Sequence, residues 1–475
     1  MRRFFSPLVL GVALVISGCA AQGSATAEAR LVNVLPASLA AADVAPTVST
    51  PTPASTTTAP LTTPSSSTIP FNARCSADSF AFADDNPDAD ELAARVDAAL
   101  EHPGFDGHDV SVSVWVDGWG EIATHNPDLA LHPASNQKVL TAIGANALLD
   151  PTAPLTTRIE LVGNELVIRA GGDPTLTYPQ VLDAIDSGLP DTWTLIDRLI
   201  IDVTDFPQSP TADGWLERHT PQYVGPLSGL MLDNNRWTAD GWLIRNPELA
   251  NAQRIAFLLG ERGIDIGAVT VARSVKPADG WTIATIESAP IGSLVETMVR
   301  TSSNAMADLL LMEIGRVNSR EGSLAGGAEA IESVLFENCG STDGLIDDGS
   351  GLSRENWRSA RSFVQSLAAV HGTPEGQVLR TQMPIGGVSG TLAGRFGGTN
   401  AGLVQAKTGT LFSARSLSGW ARMPDGRDAI FSVIVNGEDG TLGGAINAID
   451  ALVTQIILDP ATLVESVDAP SPKSS

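Results

Sequence analysis

Ser135-Asn136-Gln137-Lys138 sets a hydroxyl and an amine three residues apart, after Pro133-Ala134 and at the start of a stretch with helical periodicity. On a helix this spacing puts both side chains on one face, one turn apart. A serine hydroxyl is a weak nucleophile at neutral pH until a neighbouring base takes its proton. A lysine can be that base when burial and a nearby cation lower its pKa. The helix N-terminus adds oriented N–H groups where an oxyanion would form. Alone, the tetrapeptide is also what a helix N-cap followed by a surface lysine looks like.

Two further motifs change the balance. Ser302-Ser303-Asn304 lies between two helical stretches. Its first hydroxyl can relay a proton to a leaving group and its amide can hold a substrate backbone, although for the motif alone N-capping of the helix at Ala305 is the better account. Lys407-Thr408-Gly409-Thr410 falls on a predicted strand. There Gly409 would let substrate backbone approach, while Lys407 and Thr408 bind a carboxylate through charge-assisted hydrogen bonds. S-x-x-K, S-D-N and K-T-G in this order are the signature of active-site serine acyltransferases, and this chain keeps the order with Ser303 at the middle of the second motif. Lysine usage sharpens it: the chain has only Lys138, Lys276, Lys407 and Lys473, and two of them fall where a motif requires one. Arginine could not replace Lys138, because a guanidinium does not deprotonate in proteins.

The elements that must position these groups follow from periodicity. Residues 90–101 read as a helix. Val110, Val112, Val114 and Val116 alternate with Ser111, Ser113 and Trp115, which predicts a strand that turns at Asp117-Gly118 into a second one over 121–124. A helix is expected from Ser135 to Leu149, strands at 158–168, 199–203 and 269–272, and helices at 247–262 and from Pro290 through Ile314. Strands at 404–408, 415–423 and 429–436 precede a last helix over 441–458. This order predicts an α+β fold, an antiparallel sheet packed with helices and interrupted between the first and second motifs by an inserted α/β subdomain. The expected division is 75–155 with 288–460 for the catalytic domain, 156–287 for the insert and 461–475 for a disordered tail.

A net charge of −25 with no basic cluster argues against a nucleic-acid partner. The histidines (His102, His108, His125, His132, His219, His371) and three cysteines show no metal-ligand spacing, so neither a metal nor another cofactor is expected. Arg2, Arg3 and the apolar run Leu8 to Ile16 read as an export signal. Ile16-Ser17-Gly18-Cys19 resembles a lipobox, which predicts lipidation of Cys19 and a membrane anchor, with an ordinary cleaved signal as the alternative. Residues 20–74, rich in Ala, Thr, Ser and Pro, read as a stalk without a core. Cys75 and Cys339 then remain for one disulfide in an exported protein, or stay as separate thiols.

From about residue 90 to 458 the chain resembles the DacB-type D-Ala-D-Ala carboxypeptidase/endopeptidase family, the class C low-molecular-mass penicillin-binding proteins of the β-lactamase/DD-peptidase superfamily. The segment Pro133 to Lys138 is similar to the family's nucleophile segment. Gly171-Gly172-Asp173-Pro174-Thr175-Leu176 and Tyr223-Val224-Gly225-Pro226-Leu227-Ser228 resemble parts of its inserted region. Asp348-Gly349-Ser350-Gly351-Leu352-Ser353-Arg354 and Gly387-Val388-Ser389-Gly390-Thr391-Leu392 resemble later signatures. The resemblance implies that Ser135 attacks the penultimate D-Ala carbonyl of peptidoglycan stem peptides, with Lys138 as proton acceptor. Backbone N–H groups of Ser135 and Thr410 would form the oxyanion hole, Ser302 would pass a proton to the leaving D-Ala, and Asn304, Lys407, Thr408 and Gly409 would hold the peptide and its carboxylate. It also implies β-lactam antibiotics as covalent inhibitors and a location at the outer face of the bacterial membrane, in the wall or in the periplasm. A β-lactamase, an esterase on the same fold and a non-catalytic wall-binding lipoprotein are the alternatives. Ser303 stands where the family often has Asp or Asn, and the short stretch between Ser135 and Ser302 implies a reduced subdomain after Asn234-Asn235.

Overall fold

Asn86 caps the first helix by accepting from the backbone N–H groups of Asp88 and Ala89. It opens the described part of the computed structural model, which comprises residues 86–207, 211–220, 222–235 and 246–458. Cys19, Cys75, the stalk and the tail lie outside the described residues. After α1 (Pro87–Leu100), β1 (Asp109–Val116) and β2 (Gly120–His125) pair as a hairpin, followed by α2 (Gln137–Leu148). The next region holds β3 (Pro154–Val162), β4 (Glu165–Arg169), α3 (Tyr178–Gly188), β5 (Leu195–Ile196), β6 (Arg198–Asp202), α4 (Pro247–Glu261), β7 (Asp265–Ile266), β8 (Val269–Ala272) and β9 (Trp281–Pro290). The chain returns through α5 (Ile291–Thr301), α6 (Asn304–Ser319), α7 (Leu324–Glu337), α8 (Ala360–Val370) and α9 (Pro374–Gln382). It ends in β10 (Val404–Leu411), β11 (Ala414–Arg422), β12 (Asp428–Asn436) and α10 (Ala445–Ile457).

The main sheet runs β10-β11-β12-β1-β2 and is antiparallel throughout. Chain ends far apart in sequence therefore meet at its centre, where β1 pairs with β12. Alternation often marks one solvated face, but in β1 it separates two cores. Val110, Val112, Val114 and Val116 pack in the core beneath α1 and α10. Trp115 joins Ile430 and Ile434 in the core that holds α2 and α5 to α8. Ser111 and Ser113 on that second face are wholly buried and are satisfied by hydrogen bonds. The Ala360 N–H donates to Ser111 Oγ at 3.1 Å, and Ser113 Oγ donates to Glu121 at 2.7 Å.

The inserted α/β subdomain is a second, mixed sheet of order β8-β6-β4-β3-β9, backed by α3 and α4 over Ile159, Ile168, Ile185, Leu199 and Ile255. Its first and last strands are neighbours: Pro154 lies opposite Pro290, and the Ile291 N–H donates to the Ala153 carbonyl at 2.9 Å. The insert thus leaves and rejoins the catalytic body at one place, with α2 and α5 on either side of the junction. The expected strand over 158–168 is two strands, because Gly163 at φ +62° turns the chain back on itself. The two helical stretches expected on either side of Ser302-Ser303-Asn304 are α5 and α6, and they part where Ser302 takes φ +60°.

Candidate active site

Ser135 does not begin the helix. It sits in a 3₁₀ turn, Ala134–Asn136, that feeds α2. Ala134 is buried and adopts φ +49°, a conformation that costs a residue with a Cβ roughly 1–2 kcal/mol. Two glycines let other segments close on this turn. A Cβ on Gly351, itself at φ +81°, would lie 1.8 Å from the Ala134 carbonyl oxygen. A Cβ on Gly409 would lie 2.0 Å from Ser416 Oγ and 2.8 Å from the Pro133 carbonyl. The room at Gly409, which the sequence reading assigned to substrate, is used by the chain's own nucleophile segment. Asn136 ties the same parts together, donating to the Lys407 carbonyl at 2.7 Å and accepting from Ser418 Oγ at 2.6 Å.

Lys138 is wholly buried, at 0% exposure. Its Nζ lies 3.0 Å from Ser135 Oγ and 2.8 Å from Asn304 Oδ1, and it also bonds the Ser350 carbonyl. Asn304 is in turn fixed by donating from Nδ2 to the Tyr223 carbonyl at 3.1 Å. Both ends of its amide are therefore engaged within the protein. Burial lowers the Lys138 pKa to about 8, against the opposing pull of Asp308 and Asp348.

Lys407 is also at 0% exposure, and its Nζ donates to Ser302 Oγ at 3.0 Å and to the Thr408 carbonyl at 2.6 Å. Burial first, then the charge of Lys138, holds it well below the usual lysine range. From the motif it is Thr408 and Thr410 that reach the surface. Thr408 Oγ1 donates to Thr391 Oγ1 at 2.8 Å, and Thr410 is exposed. Ser135, Ser302, Asn304 and Thr410 line one cleft of about 360 Å³, walled by Tyr223, Leu352, Phe412 and Arg415. The three motifs, scattered through the sequence, converge on that cleft.

The loop behind it was legible only as a family signature, without a role. Asp348 accepts from the N–H groups of Gly351 at 2.6 Å and Ser353 at 2.7 Å, from Asn356 Nδ2 at 2.7 Å and from Trp215 Nε1 at 2.7 Å. So held, the loop points the Ser350 carbonyl at Lys138. Asp308, one turn after Asn304 on α6, accepts from the Gly349 N–H at 3.0 Å. Burial and the neighbouring Asp348 push its carboxyl well above the usual range. Sequence reasoning missed Asp308, although its i+4 spacing from Asn304 was visible. Cys339 is half of a disulfide.

The D-Ala-D-Ala carboxypeptidase 3 (S13) family model matches residues 92–241 and 242–456. A carboxypeptidase of Mycobacterium tuberculosis is 31% identical over 399 residues, covering 78% of this chain and 81% of its own. A D-alanyl-D-alanine carboxypeptidase of Actinomadura sp. is 28% identical, covering 77% and 84%. The crystal structure of penicillin binding protein 4 from Haemophilus influenzae superposes with a TM-score of 0.67 at 20% identity, covering 78% of this chain and 99% of that one. That likeness gives the fold, a DD-peptidase-type sheet between helical layers. With the family model spanning both halves of the catalytic body and the insert between them, the chain belongs to the D-Ala-D-Ala carboxypeptidase 3 (S13) family, as a serine-type peptidase.

Proposed function

We propose that the protein removes the terminal D-alanine from peptidoglycan stem peptides through an acyl-enzyme on Ser135. The observation that carries this is the hydrogen-bond count at Lys138. A neutral amine has two N–H donors and one lone pair. Asn304 Oδ1 and the Ser350 carbonyl are pure acceptors and take the two donors, which leaves the lone pair for Ser135 Oγ at 3.0 Å. In this reading Ser135 attacks the penultimate carbonyl and its proton passes to Lys138. The N–H groups of Ser135 and Thr410 receive the oxyanion, a feature worth roughly 10²–10³-fold in rate. Ser302, its hydroxyl held by Lys407, delivers a proton to the departing D-Ala nitrogen. Thr408 and Thr410 bind the substrate carboxylate at the cleft surface, with Lys407 contributing its field from beneath. Water then cleaves the ester.

β-Lactams would acylate the same serine, since their strained amide enters the cleft as the D-Ala-D-Ala amide does. An export signal, a lipid on Cys19 and the stalk would place the enzyme outside the membrane, where wall peptides are found. Purified protein should release free D-Ala from a peptide ending in D-Ala-D-Ala, and Ser135→Ala should release none. Turnover by Ser135→Ala at the wild-type rate would sink the proposal.

A further inference from the structure

His132 has no part in the chemistry above, yet its ring is wedged between the nucleophile turn and the loop after Asp348. Nδ1 lies 3.2 Å from the backbone nitrogen of Ala134, and Nε2 lies 2.6 Å from the Ser353 carbonyl oxygen. A backbone N–H only donates and a carbonyl only accepts. The two contacts therefore select one form of the ring, neutral and protonated on Nε2. Its backbone is fixed as well: the His132 N–H donates to Asn436 Oδ1 at 2.8 Å, and Asn436 Nδ2 donates to the His132 carbonyl at 3.0 Å. On the far side, the Ser353 N–H is held by Asp348 at 2.7 Å. The ring is thus anchored at three points and offers its one lone pair to Ala134. Ala134 is the residue at φ +49° immediately before Ser135.

We infer that neutral His132 is a positioning residue: it holds Ala134 in the left-handed conformation that aims Ser135 at Lys138, and protonation of its ring releases the turn. This rests on Ser135 being the nucleophile. An imidazolium would set one N–H against another at Ala134, and the strained residue would lose the partner that keeps it there. The charges facing the ring are Asp348, which favours protonation, and Arg354 and His219, which oppose it. Burial outweighs them and lowers its pKa, so the ring is neutral at neutral pH and charges only in acid.

The test follows the rate at which a fluorescent penicillin labels Ser135 of the full chain, from about pH 4.5 to 9. In the wild type the logarithm of this rate should fall with a slope of one proton as Lys138 charges, then two protons once His132 also charges. His132→Leu removes the acceptor, and the aligned turn becomes a minority state. Labelling at neutral pH should drop roughly 10- to 100-fold, the cost of orphaning one buried donor. His132→Asn is the rescue: its Oδ1 can accept from the N–H two residues on, as an Asx turn does, and it cannot charge. It should label within about threefold of wild type and keep the one-proton slope down to the acid end. A His132→Leu protein that labels at the wild-type rate overturns the inference, as does a His132→Asn protein that keeps a second proton or a wild type that never shows one. Absence of label on wild-type Ser135 overturns the nucleophile assignment itself, and this role with it.

Discussion

The amine of Lys138 is charged below about pH 8 and neutral above it. Charging occupies the lone pair that faces Ser135, so the active form is the deprotonated one and activity is lost as pH falls. Acylation should rise about tenfold per pH unit as pH approaches 8 from below, then level off. A rate unchanged between pH 6 and 8 would mean that some other group takes the serine proton. Lys138→Arg keeps the charge and most of the volume but supplies no base. We expect it to acylate about 10²–10⁴-fold more slowly, the range a general base contributes. The two motif lysines differ in what they face. Lys138 meets the nucleophile, whereas Lys407 meets Ser302, so neither buried amine can stand in for the other.

At the scale of elements, β1 was readable from its strict alternation, and β12 from a short apolar run bounded by the Asp425-Gly426 turn. β1, β2 and β10 to β12 all appear where periodicity predicts them. The break within 158–168 was legible: Arg158, Ile159, Glu160 and Leu161 alternate, and Gly163-Asn164 between Val162 and Glu165 is a two-residue hairpin signal that the single-strand expectation passed over. α7, α8 and α9 escaped notice although Ser323, Ser359 and Thr373 cap them as N-cap rules describe. What a single sequence could not give is the closeness of the Asp348 loop to the nucleophile turn, since Gly351 and Ala134 are distant in the chain and touch only in the fold. That contact can be tested. Gly351→Ala places a Cβ on a left-handed residue and against the Ala134 carbonyl. It should lower stability by at least about 1–2 kcal/mol and slow acylation of whatever protein remains folded, read by thermal unfolding and by penicillin labelling. Wild-type values in both would show that the loop does not brace Ser135.

For the whole molecule, the main sheet is closed by strands from both ends of the catalytic sequence, with the insert returning to its own point of departure. Motifs far apart in sequence can therefore share one cleft, because α2, the α5–α6 break and β10 all abut there. Among the described residues no helix is long and apolar enough to cross a membrane. Pairing of Cys339 with Cys75 would tie the stalk's end to the catalytic body and contribute about 2–4 kcal/mol. Non-reducing mass spectrometry of exported protein reads both at once: a diacylated Cys19 peptide and a linked Cys75–Cys339 peptide are expected, while an unmodified Cys19 or a free Cys75 would refute the corresponding proposal. The most direct test of the central claim is to treat the purified wild-type protein with labelled penicillin, digest it and locate the adduct. The serine–lysine geometry predicts one stoichiometric penicilloyl ester, on the peptide containing Ser135, and none in Ser135→Ala. An adduct on any other residue, or none at all in protein that releases D-Ala, would contradict it.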